Sequence, residues 1–100
     1  MGMEKTVPFT GAAPAWTDIQ REAASSGLPL QLRMIDGLPA FPDEVPEDGW
    51  QELRVSGSAG MMTLRRGDNA LAVVVWGNAD ADMVRESAVL IEAVRVAAGG

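Results

Sequence analysis

The sequence predicts an α+β domain in which a mainly antiparallel sheet of four or five strands packs against a C-terminal helix, with a short N-terminal helix beside it. Three observations predict this class. Residues 50–76 alternate between apolar and polar side chains in three runs separated by turn residues, as in a β-meander. Residues 80–97 carry apolar side chains at helical spacing, and a shorter helical pattern surrounds Trp16.

The length of the chain fits one domain, which we place at residues 14–100, after a flexible N-terminal arm at residues 1–13. Pro8, Gly11 and several small residues interrupt any regular pattern in this arm. The chain has 100 residues, of which 47% are hydrophobic. A core of that size is only marginally stable, so dimerisation would help it.

A short helix is predicted after the arm. Pro14 suits a first helical turn, and Trp16, Ile19 and Ala23 recur at helical spacing. Gly27 can adopt the left-handed conformation that often ends a helix.

Residues 28–35 predict the first strand, with apolar and polar side chains on opposite faces. Asp36-Gly37 is a hairpin-type turn, after which residues 38–41 could return as a strand. Two prolines, Pro39 and Pro42, confine that returning strand to an edge of the sheet. The face predicted to be apolar consists of Leu30, Leu32 and Met34, and the polar face of Gln31 and Arg33.

The meander has a register that the hydrophobic pattern defines. Centring the first turn on Ser58-Ala59 places Glu52 opposite Arg65, an opposite-charge cross-strand pair. The second turn is either Gly67-Asp68 or Asp68-Asn69. In this register one face is entirely apolar, and a shift of one residue would expose it. That face consists of Leu53, Val55, Met62, Leu64, Leu71, Val73 and Val75.

The last helix is predicted over residues 80–97, with Asp80 or Asp82 as its N-cap. Its inward face is predicted to hold Met83, Val84, Ser87, Ala88, Leu90, Ile91 and Val94. Its outward face is predicted to hold Asp82, Arg85, Glu86 and Glu92.

Composition argues against several classes of function. Without Cys, His or Tyr, the chain cannot form a disulfide framework, a thiolate nucleophile or a Ser-His-Asp triad. A net charge of −6 with a single lysine argues against nucleic-acid binding. No apolar run approaches the roughly 20 residues that span a bilayer. We therefore expect a cytoplasmic protein, of bacterial origin from its arginine-rich composition, with no cofactor and no membrane partner.

Three short motifs are better explained as structure than as function. Gly57-Ser58-Ala59-Gly60 and Arg66-Gly67-Asp68 lie where the meander needs turns. The Asn78–Asp82 ladder lacks the glycine and the glutamate of a calcium loop. An acidic loop is the weak candidate for a metal site, and its carboxylates are Asp43, Glu44, Glu47 and Asp48.

The second face of the sheet is neither clearly polar nor clearly apolar, and tryptophan beside arginine is enriched at protein interfaces. The N-terminal helix could instead cover this face through Trp16 and Ile19. The leading hypothesis is a non-enzymatic protein-interaction module that associates with itself as a homodimer or with another protein. Its candidate interaction residues are Trp76, Met61, Arg54, Arg65 and Trp50 on the sheet, with Val89 and Val96 on the last helix.

Two alternatives come from other classes of function. The first is a regulatory domain that responds to a small ligand or a metal through the carboxylates of residues 43–48. The second is an enzyme with a carboxylate pair such as Glu52 and Asp48. Nothing in the sequence places that pair at catalytic spacing.

Overall fold

A computed structural model describes residues 3–75 and 80–99 of the chain. Within this part, six strands form one antiparallel sheet and two helices accompany it. The elements in chain order are β1 (Met3–Pro8), α1 (Trp16–Ser25), β2 (Gln31–Ile35), β3 (Leu38–Pro39), β4 (Glu52–Ser56), β5 (Met61–Arg66), β6 (Ala70–Val75) and α2 (Ala81–Ala97). This confirms the predicted α+β class.

The sheet has six strands rather than the four or five that were predicted. The additional strand is β1, which lies in the segment predicted to be a flexible arm. It pairs with β6 along its whole length, from Met3 opposite Val75 to Pro8 opposite Ala70. The strand order is β1-β6-β5-β4-β2-β3, so the meander occupies the centre and the two edges are β1 and β3.

The predicted register of the meander is confirmed. Leu53 pairs with Leu64, and Glu52 pairs with Arg65. The second turn is centred on Asp68-Asn69, because the N–H of Gly67 donates to the carbonyl of Ala70 at 2.8 Å. All seven residues of the predicted apolar face are buried, at 2% exposure or less.

The predicted alternation in β2 is wrong at Met34, because a β-bulge interrupts the strand between Leu32 and Met34. Leu32 pairs with the buried Val55, but the register shifts before Met34, which pairs with the exposed Arg54. Met34 therefore lies on the opposite face from Leu32. Beyond it, Ile35 pairs with Leu53 and returns to the core side.

Both helices begin and end near the predicted residues. The Oδ1 of Asp80 caps α2 by accepting the N–H of Met83 at 2.9 Å. At the end of α1, Gly27 has a φ of 89° and the N–H of Leu28 donates to the carbonyl of Ala23. These are features of a left-handed helix C-cap.

The core lies between one face of the sheet and the helical layer. Trp16 and Ile19 of α1 and Leu90 of α2 belong to the same buried cluster as the apolar face of the meander. The N-terminal helix therefore does not cover the second face, which was one of the two arrangements considered. Burial of each large aliphatic side chain contributes roughly 1.5–3 kcal/mol, so this single interface supplies most of the stability.

Candidate interaction surfaces

The second face of the sheet forms a surface that no described helix covers. We call it the open face, and the strand registers place on it Glu4, Thr6, Met34, Glu52, Arg54, Ser56, Met61, Thr63, Arg65, Ala72 and Val74. Met61 is 47% exposed there. Thr63 and Val74 on the same face are buried, at 2% and 4% exposure.

The charges of the open face are arranged around Glu52. Its carboxylate lies 3.4 Å from the Nε of Arg65 and 3.9 Å from the Nε of Arg54. Both arginine side chains remain about half exposed, at 46% and 48%. Arg33 adds a third guanidinium, whose Nε donates to the hydroxyl of Ser56 at 2.9 Å. This face therefore presents exposed cations on an acidic protein.

The other predicted interaction residues have different positions. Trp50 was predicted to contribute to this face. It is only 3% exposed and belongs to the core instead. Val96 is 45% exposed on α2, whereas Val89 is half-buried against the core. Trp76, the predicted anchor of the interface, lies outside the described residues.

Trp50 forms one wall of a cleft beside the start of α1. The guanidinium carbon of Arg66 lies 4.4 Å from the centre of the Trp50 ring, a cation–π contact. The Nη1 of Arg66 also donates to the carbonyl of Asp48 at 2.7 Å. The cleft has a volume of about 350 Å³ and is also lined by Trp16 and Pro46. Arg66 therefore holds the acidic loop against the sheet, which goes beyond the turn role predicted for it.

A second concavity lies on the far side of the acidic loop, beside the β2–β3 hairpin. We call it the acidic groove. Its volume is about 460 Å³, and its lining combines apolar residues with three carboxylates. The apolar lining residues are Ile35, Leu38, Pro39, Val45, Pro46 and Trp50, and the acidic ones are Asp36, Glu44 and Glu47.

Sequence reasoning considered residues 42–49 as a solvated loop or as a metal or small-ligand site through its carboxylates, and it missed the apolar part of the acidic groove. Leu38 and Val45 are 70% and 67% exposed, and nearby Phe41 is 74% exposed. The signal in the sequence was the presence of bulky apolar residues between prolines in an acidic segment.

One carboxylate reinforces the pairing of the hairpin with β4. Oδ1 of Asp36 accepts the backbone N–H groups of Gln51 at 2.7 Å and Glu52 at 2.8 Å. These bonds stabilise the charged form, first through Glu52 and then through Gln51, and Arg66 adds a smaller electrostatic contribution. Together they lower the pKa of Asp36 below its ordinary value.

The geometry of the described residues adds no support for the metal or the enzyme alternative. Within the described ranges, no group of three or more acidic side chains is placed to hold a metal ion. Glu52, the proposed partner of Asp48 in a carboxylate pair, is instead bracketed by Arg54 and Arg65. Neither helix in the described part of the chain combines the length and hydropathy needed to cross a bilayer.

The predicted orientation of Glu86 on the last helix was wrong. Glu86 was expected to face solvent, but it is only 6% exposed and reaches the β4–β5 turn. Its carboxylate accepts the hydroxyl of Ser58 and the N–H of Ala59, the latter at 3.1 Å. The Gly57–Gly60 segment is therefore a turn that is anchored to α2.

Comparison of the chain with known protein families, with curated proteins and with solved structures finds no match.

Proposed function

We propose that this protein is a non-enzymatic interaction module that forms a homodimer through the open face of its sheet. The observation that carries the proposal is that both helices pack on one face of a six-stranded sheet, while on the other face Met61, Arg54 and Arg65 are each about half exposed. Apolar area beside arginine is the composition of many protein interfaces.

Electrostatic repulsion opposes a second copy less on the open face than on the rest of this acidic chain. The chain carries a net charge of −6, so two copies repel each other in most orientations. The open face is the exception, because it gathers three of the eight basic residues against the two acids Glu4 and Glu52. Those cations are Arg33, Arg54 and Arg65. Dimerisation there would place carboxylates of one copy near guanidinium groups of the other.

Sedimentation equilibrium over a concentration series tests this proposal. We expect the wild-type chain to dimerise and Arg54→Glu to weaken the dimer at least about tenfold, because reversed charge at an interface costs several kcal/mol. Its melting temperature should stay nearly unchanged, since surface substitutions move stability by about half a kcal/mol or less. Arg21→Glu is the matched control, because Arg21 is a 72% exposed arginine on α1.

Two outcomes would contradict the proposal. A wild-type chain that sediments as a monomer at every concentration would exclude self-association. An Arg54→Glu variant that dimerises as the wild type does would move the interface elsewhere, first to α2 around the exposed Val96 and the half-buried Val89. Pulldown with the same two variants extends the test to a different protein partner.

A further inference from the structure

We propose that the acidic groove binds a short extended segment of another protein, in which bulky apolar residues are flanked by lysine or arginine. The apolar part of the argument is the exposure of Leu38 and Val45, which are 70% and 67% accessible in the same concavity. Large apolar side chains this exposed, in one concavity that is rimmed by polar groups, mark a binding surface. A volume of about 460 Å³ lies within the usual range of roughly 300–1,000 Å³ for ligand pockets.

The rim determines the charge of the partner. Asp36, Glu44 and Glu47 line the groove, and none of the lining residues is basic. Within residues 3–75 and 80–99, none of these three carboxylates forms a salt bridge. Three carboxylates without a cationic neighbour at salt-bridge distance attract a positively charged segment and repel an acidic one.

The local backbone favours side-chain docking over addition of a strand. β3 is an edge strand, but it has only two residues, and Pro39 has no N–H to donate. The hairpin is also held firmly, because Asp36 accepts two N–H groups of the chain entering β4. The loop opposite is closed by the N–H of Glu44, which donates to the carbonyl of Phe41 at 3.0 Å. A preformed groove loses less entropy on binding than a mobile one.

Fluorescence anisotropy of the full chain with a defined peptide tests the inference. The probe is fluorescein-labelled Lys-Lys-Leu-Ser-Leu-Lys-Lys, whose two leucines lie on one side when the peptide is extended. We expect saturable binding that weakens with added salt. Replacing every Lys by Glu, or both Leu by Ser, should weaken binding at least about tenfold. These peptide changes leave the fold of the protein untouched.

Matched variants locate the binding site. Val45→Ser should weaken binding about tenfold, because it removes apolar area that the bound leucines would cover. Val84→Ser is the control, since Val84, which was wrongly predicted to face inward, is 46% exposed on α2. Glu47→Gln should weaken binding and reduce its dependence on salt.

Three results would overturn the inference: no binding of the lysine peptide, equal binding of the glutamate peptide, or unchanged binding by Val45→Ser. Arg54→Glu should bind the peptide as the wild type does. A failure of peptide binding in the groove can therefore be distinguished from a failure of the proposed dimer.

Discussion

The carboxylate of Glu86 on α2 occupies the space that a side chain at Gly57 of the β4–β5 turn would need. A Cβ atom added at residue 57 would overlap Oε1 of Glu86 and would also crowd the side chain of Leu28 at 3.2 Å. A larger residue here would force the Glu86 side chain to shift, at the expense of the hydrogen bonds that it accepts from Ser58 and Ala59. The turn and the helix position each other.

Gly57→Ala should accordingly destabilise the protein. We expect a loss of about 1–3 kcal/mol, the usual effect of overpacking a buried contact. Urea denaturation measures it, with Gly49→Ala as the control because nothing lies within 4 Å of a Cβ at Gly49. In a Glu86→Ala background the penalty should shrink, and a penalty of the same size in both backgrounds would show that Glu86 is not its cause.

The bonds to Asp36 predict a specific dependence of stability on pH. Because folding lowers the pKa of Asp36, its stabilising effect is present above the ordinary value of about 3.9 and is lost as the pH falls through the folded value. Asp36→Asn keeps an acceptor but removes the charge. We expect this variant to be less stable than wild type at neutral pH, and the difference to disappear on acidification.

Urea unfolding at a series of pH values measures that difference. Asp43→Asn is the control, because Asp43 is an exposed carboxylate in the neighbouring loop. A constant gap between wild type and Asp36→Asn down to the acid limit would mean that the charge of Asp36 does not stabilise the hairpin.

Val73 tests the assignment of the central strands. It is 2% exposed and pairs with Leu64 on one side and Lys5 on the other. Val73→Asp should unfold the domain, because it places an unpaired charge in the core. Ala72→Asp is the control, since Ala72 lies on the open face opposite Arg65 and should stay folded. Native-like melting of Val73→Asp, measured by circular dichroism, would contradict this packing.

The parts of the fold that could be predicted are those in which pattern and packing agree. In β4–β6 every second residue is apolar on the core side, so only one register buries the whole set. The N-cap of α2 could be predicted as well, because an aspartate directly before a helix accepts a backbone N–H of the first turn. These features depend on neighbours in sequence.

The parts that were missed depend on contacts distant in sequence. β1 is held by backbone pairing to β6, and Val7 is its only side chain classed as buried, so its sequence carries little strand signal. Glu86 lies three residues after Met83 and four before Leu90, which places it on the inward stripe of α2. Its charge argued against burial, and only the opposing turn supplies the hydrogen bonds that permit it. The bulge in β2, which places Met34 on the open face, also depends on pairing with the distant strand β4.

Arg66 provides the last prediction, because its side chain links β5 to the acidic loop. The guanidinium stacks 4.4 Å from the centre of the Trp50 ring and donates to the carbonyl of Asp48. Arg66→Ala should destabilise the protein by about 1–2 kcal/mol, since it removes a cation–π contact and a charged hydrogen bond. Arg66→Lys should restore only part of this loss, because an ammonium lacks the planar face that stacks on an indole. Urea denaturation of both variants measures the effect, with Arg21→Ala as the control because Arg21 forms only an exposed pair with Asp18. If Arg66→Ala were as stable as Arg21→Ala, Arg66 would be a turn residue alone, as the sequence suggested.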